Sequence, residues 1–125
     1  MARARSTTTK TGRQGEDLAV QWLRQHGYEI VARNYRRRFG EVDVIARHQG
    51  FLVFIEVKTR RSTRFGLPAD ALTVKKQRQL TRIAEDYLVH HDGADMPCRF
   101  DVLSILLRQN QKPEISVLVN AFEAH

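Results

Sequence analysis

Cysteine is almost absent: Cys98 stands alone among 125 residues. One thiol can form neither an internal disulfide framework nor a four-thiolate zinc site. The scarcity fits a reducing, cytoplasmic setting. Long apolar runs are missing as well. No stretch approaches the roughly 20 apolar residues that cross a bilayer, so no spanning segment is expected. There is no Gly-rich phosphate loop of the Walker type. The histidines, His26, His48, His90, His91 and His125, lack the spacing of zinc ligands. Met1 to Thr11 contains no acidic residue and no apolar core of a secretory signal. Basic and rich in Ser and Thr, residues 1–11 read as a disordered tail, which leaves 12–125 as a single domain.

Positive charge is abundant. Lys and Arg outnumber Asp and Glu by 21 to 14, for a formal charge of +7. That balance favours a polyanionic partner, because each neutralised phosphate releases counterions. Nucleic acid leads, and an anionic membrane surface comes second. A hydrophobic fraction of 42% supplies one core.

Leu18, Ala19, Trp22 and Leu23 recur at helical spacing within Gly12 to His26, and Gly27 then stops the helix. Tyr28 to Tyr35 reads as a strand, followed by Arg36, Arg37 and Arg38. Phe39 to Arg47 and Phe51 to Thr59 are two more strands, joined by a turn at His48-Gln49-Gly50. Arg60 to Pro68 is a basic loop. A long helix runs from Ala69 or Thr73 to His90, with Leu80, Ile83, Ala84, Tyr87 and Leu88 as its apolar stripe. His91 to Pro97 is a loop. Arg99 to Leu107 and Ile115 to Val119 are the last strands. The order α-β-β-β-α-β-β implies an α/β domain, a mixed β-sheet flanked by helices.

Strand alternation then groups the chemistry. Leu52, Phe54, Glu56 and Lys58 share one face of their strand. If Arg47 to Gly50 form a four-residue loop, Ala46 faces Phe51, Asp43 faces Phe54 and Glu41 faces Glu56. Asp43 and Glu56 become diagonal neighbours, within roughly 8 Å between backbones. An odd loop would put them on opposite faces. Two carboxylates this close want a cation, and hard oxygen donors suit Mg²⁺ or Mn²⁺. Lys58 beside them suits a phosphoryl group that gains negative charge. A surface ion pair among Glu41, Glu56 and Lys58 explains the spacing equally well.

The helices add two polar residues on apolar faces. At about 100° per residue, Leu18, Trp22, Ala19, Leu23 and Val20 span an arc of about 200°, and Glu16 falls inside it. A carboxylate there needs a partner or a metal. Gln77 falls between Ala84 and Leu88 on the second helix. It suits a hydrogen bond to a metal-bound water or a phosphate, or to backbone at the helix start.

Gly15-Glu16, Gly40-Glu41-Val42-Asp43, Glu56-Val57-Lys58 and Gln77, in that order, resemble the PD-(D/E)xK nuclease superfamily. Gly12-Arg13-Gln14-Gly15-Glu16, Ala32-Arg33-Asn34-Tyr35 and Phe54-Ile55-Glu56-Val57-Lys58-Thr59-Arg60 more closely resemble the bacterial YraN-like family, which is similar to archaeal Holliday junction resolvases. The resemblance spans about Gly12 to Leu107. It implies a restriction-endonuclease-like core and a metal held by Asp43, Glu56 and the Val57 carbonyl, with Glu16 nearby. It implies Lys58 as catalytic lysine and Gln77 as an accessory group. Val42 stands where the superfamily's nominal proline would be. The implied activity is metal-dependent endonucleolytic cleavage of branched or structured DNA, and the implied assembly is a homodimer.

Arg36, Arg37 and Arg38 precede the Asp43 strand, and Arg60, Arg61 and Arg64 follow Lys58. Lys75 and Lys76 lie on the second helix, with Arg78 and Arg82. All suit phosphate contacts that position a nucleic acid rather than read it. Tyr35 and Phe65 suit base stacking or core packing equally. A non-catalytic DNA- or RNA-binding module with a residual metal site accounts for the same charges.

Overall fold

The computed structural model describes residues 10–61, 72–91 and 95–124. Helix α1 (Lys10–Gln25) precedes strands β1 (Glu29–Arg37), β2 (Gly40–His48) and β3 (Phe51–Arg60). Helix α2 (Val74–His90) leads to β4 (Cys98–Leu106) and β5 (Glu114–Leu118). The expected order of elements is therefore present. α1 begins at Lys10, so the expected boundary of the tail at residue 11 falls inside a helix. Arg64 and Phe65 of the basic loop lie outside the described residues, as does Ala69, the earlier of the two helix starts. The second helix takes the other start: Thr73 is its N-cap, and its side chain accepts from the Lys76 N–H at 3.0 Å.

The five strands form one sheet in the order β1-β2-β3-β4-β5. All neighbours are antiparallel except β3 and β4, which run parallel across the α2 crossover. α1 covers one face, where Ala19, Val20 and Leu23 pack with Val44, Ala46, Val53, Ile55, Leu103 and Ile105. α2 covers the other, where Leu80, Ile83, Ala84 and Tyr87 meet Ile45, Leu52, Phe54 and Phe100. β3 is thus buried on both sides, which explains its almost unbroken apolar run. This is a restriction-endonuclease-like α/β sandwich.

The β2–β3 register corrects the expected one. The turn holds two residues, Gln49 and Gly50, with φ of +52° and +84°. Positive φ at both central positions is the hairpin turn that matches strand twist. His48 therefore pairs with Phe51 and Ala46 with Val53, so every pairing moves by two residues. An even shift leaves the faces unchanged.

At the other end the sheet forks. β2 and β3 pair only as far as Val44 and Ile55. Beyond that point β2 stays with β1 to Gly40, and β3 stays with β4 to Arg60. β2 also breaks its alternation here: Val42 packs on the α2 side and Val44 on the α1 side. Between them lies Asp43. Across from it on β1, Asn34 has φ +53°, a conformation that asparagine tolerates better than most residues.

Candidate functional site

The fork gathers Asp43, Glu56 and Val57, with Glu16 nearby. Continuing the register sets Asp43 across from Glu56, with no ladder pair between them. The Asp43 carboxylate bridges the gap instead: its Oδ2 accepts from the Val57 N–H at 2.8 Å. In an extended strand, the N–H and C=O of one residue face the same neighbour. The Val57 carbonyl is therefore turned into the fork beside Asp43. Glu56 is only 7% exposed. Burial and then the neighbouring Glu56 carboxylate hold the Asp43 carboxyl well above the usual range, and Glu16 adds to the effect.

Glu16 reaches this region from α1, 7% exposed as the helical arc predicts. Its partners are protein groups. Arg33 donates to its Oε1 from Nε at 3.1 Å and from Nη2 at 2.8 Å, and Asn34 Nδ2 donates at 3.0 Å. Arg33 also pairs with Asp17 at 2.7 Å. Gly15 makes the approach possible, since a Cβ there would overlap the Thr59 side chain on β3. Arg33 and Asn34 stand in the Ala32–Tyr35 motif, but no local pattern in the sequence marks them as partners of Glu16.

α2 supplies a cation, Lys76, expected to contact phosphates, that instead meets a carboxylate. Lys76 Nζ pairs with Glu56 Oε2 at 3.1 Å. The same ammonium donates to the Glu41 carbonyl at 3.4 Å and to Gln79 Oε1 at 3.0 Å. Gln79 is itself tied to the Phe39 carbonyl at 2.9 Å. Gly40, at φ +150°, leaves room for it, because a Cβ there would overlap Gln79. Lys58 is half-buried, and its ammonium makes no ion pair among the described residues. The expected ion pair among Glu41, Glu56 and Lys58 is replaced by two others, Glu56 with Lys76 and Glu41 with Arg36 at 3.2 Å.

Other expected residues are engaged elsewhere. Gln77 Nε2 donates to the Leu72 carbonyl at 3.2 Å, the backbone partner expected at the helix start. Arg36 and Arg37 belong to β1 rather than following it, and Arg37 pairs with Asp86 at 3.0 Å. Tyr35 takes its core role: its OH donates to Asp86 at 2.8 Å, and its ring meets Tyr87 edge-on. Arg38, Lys75 and Arg61 are exposed, and Arg60 is half-buried.

The arrangement thus offers two close carboxylates, a main-chain carbonyl and a half-buried lysine. Among the described residues, no three His, Cys, Asp or Glu side chains are grouped to hold a metal alone. A divalent ion would rest on Asp43, Glu56 and the Val57 carbonyl. These hard oxygen donors suit Mg²⁺ or Mn²⁺, and the raised Asp43 carboxyl is a site short of positive charge.

Fold and site together define a restriction-endonuclease-like α/β protein with a close carboxylate pair at a forked sheet. The chain belongs to the family described as "Uncharacterised protein family UPF0102", whose model matches residues 15–105. A UPF0102 protein of Caldicellulosiruptor saccharolyticus is 44% identical over 112 residues, covering 89% of this chain and 95% of the relative. One from Lachnoclostridium phytofermentans is 46% identical over 111 residues, 88% of this chain and 90% of the relative. One from Nocardia farcinica is also 46% identical over 111 residues, 89% of this chain and 87% of the relative. This is the YraN-like family that the motifs resemble. Among the described residues, no helix is long and apolar enough to cross a membrane.

Proposed function

We propose that the protein is a Mg²⁺- or Mn²⁺-dependent endonuclease of the PD-(D/E)xK type, hydrolysing phosphodiester bonds in branched or structured DNA. The observation that carries this reading is the carboxylate pair in the fork, half-buried Asp43 against buried Glu56, with the Val57 N–H on Asp43 and Lys58 two positions beyond Glu56 on β3. A like-charged pair drawn partly out of water costs stability, and that cost fits a cation-binding task.

A bound divalent ion supplies positive charge to a phosphoryl oxygen. Asp43, Glu56 and the Val57 carbonyl would hold it, with Glu16 behind Asp43. Lys58 would neutralise charge developing on the phosphate and orient the attacking water. Arg38, Arg60, Arg61 and Lys75 would position the DNA backbone. Gln77 would act indirectly, by fixing the Leu72 carbonyl at the start of α2. A homodimer would let two sites cut opposing strands of a junction.

The test is cleavage of junction, flap, single-stranded and duplex DNA with Mg²⁺ or Mn²⁺. Branched DNA is expected to be cut, and Asp43→Ala or Lys58→Ala to slow cutting by about 100-fold or more. Absence of cutting by the wild type, or equal cutting by both variants, would sink the proposal. One observation favours a second reading: Glu56 and Glu16 are already neutralised by Lys76 and Arg33. A binding module needs no metal, and its salt-sensitive affinity for DNA or RNA would survive Asp43→Ala unchanged.

A further inference from the structure

We infer that Lys76 is the internal counter-cation of the carboxylate site, and that it competes with a divalent ion for Glu56. The inference rests on the metal-site reading above and adds a residue that sets its affinity. Three features set Lys76 apart from a loosely held surface lysine. Its ammonium meets Glu56 at 3.1 Å, and that carboxylate is 7% exposed. It is held there by two further acceptors, the Glu41 carbonyl and Gln79 Oε1. Gln79 is in turn fixed to the hairpin through the Phe39 carbonyl, over a glycine that leaves room for it. The chain therefore builds a seat for one positive charge against a proposed metal ligand.

A carboxylate oxygen paired to an ammonium at this distance is not open to a metal at the same time. A divalent ion can engage Glu56 fully only after Lys76 moves away. Lys76 is 27% exposed and has a flexible stem, so it can swing outward. In the metal-free chain it offsets part of the repulsion between Asp43 and Glu56. With the ion in place, that task passes to the metal.

The experiment is Mn²⁺ titration of the full chain without DNA, by calorimetry and by the electron paramagnetic resonance of free Mn²⁺. Lys76→Met is expected to bind Mn²⁺ about tenfold more tightly than wild type, the lower end of the range over which neighbours of metal ligands change affinity. Lys76→Gln, which keeps a donor toward Glu41 and Gln79, should tighten binding similarly. Lys58→Met removes the same unit of charge from the same region but no ion pair to Glu56, and should tighten it much less. Equal tightening by Lys58→Met would reduce the effect to general electrostatics and overturn the competition. So would unchanged or weaker binding in both Lys76 variants while wild type binds; the metal site would then stand without its competitor. If wild type and both Lys76 variants bind no Mn²⁺, the metal-site reading falls, and the inference falls with it.

Discussion

Asp43 carries the sharpest conflict of any single residue. Its carboxyl is half-buried, faces Glu56, and has its proton affinity raised by loss of water and by that neighbour. In the unfolded chain the same group ionises in the ordinary range, near pH 4. A folded value above the unfolded one means that the native state holds the proton more tightly. Stability in the metal-free protein therefore falls as pH rises from about 4 toward the folded value. Asp43→Asn removes the ionisation and keeps an oxygen that can accept from the Val57 N–H. It is expected to melt higher than wild type near neutral pH without metal, with the difference shrinking on acidification. Melting curves across that range check it, and a lower Tm for Asp43→Asn near neutrality would contradict the account.

A second buried group shows the opposite balance. Asp101, 1% exposed, accepts from Arg99 Nε at 2.9 Å and Nη2 at 2.8 Å. It also accepts from the Tyr28 OH at 3.0 Å and the Asn120 N–H at 2.9 Å. Arg99 lies 2.8 Å from His48 Nδ1 as well, and His48 stacks on Tyr28. Here every charge has a partner. Asp101→Ala would strand the buried Arg99 and is expected to cost about 3–5 kcal/mol in denaturant unfolding. Burial and Arg99 hold the His48 pKa below its ordinary value. The network is thus intact above about pH 6.5 and loses stability as pH falls below it.

Among the elements, the contact between α1 and β3 controls how Glu16 is presented. Gly15 lies against Thr59 with no room for a Cβ. Gly15→Ala gains up to about 1 kcal/mol of helix propensity but forces the two elements apart, at about 1–3 kcal/mol. A net loss of stability is expected, and Thr59→Gly should recover part of it in a double-mutant cycle. Additive losses would show that the two positions do not press on each other.

The elements were legible because their periodicities differ. α1's apolar arc placed Glu16 on the buried side of its helix, and β3's alternation placed Glu56 on the α2 side of the sheet. The register was not legible. The turn places Gln49 at positive φ, and glutamine carries none of the Asn or Asp signal of such turns. The fork at Asp43 also escaped, because it arises from pairing partners on β1 and β4 rather than from β2 itself. Lys76 reaching Glu56, 20 positions earlier, depends on how α2 sits over the sheet, which no local pattern records.

At the scale of the molecule, the net charge of +7 overstates what is available to an external polyanion. Arg99 is buried with Asp101, Arg33 serves Glu16 and Asp17, and Arg37 serves Asp86. Arg38 and Lys75 are exposed near the forked end: one follows β1 at the hairpin tip, the other opens α2 beside Lys76. If DNA passes over the fork, these two should touch phosphates. Each of Arg38→Gln and Lys75→Gln is then expected to weaken duplex binding and lower the slope of log K against log salt by about 0.9. Arg37→Gln should leave that slope nearly unchanged. It should instead lower stability by up to about 1 kcal/mol, since it breaks a partly exposed tie between β1 and α2. Fluorescence anisotropy over a salt series, paired with denaturant unfolding, separates the two effects. Equal slopes for wild type and the Arg38 and Lys75 variants would place the nucleic acid on another face of the sheet.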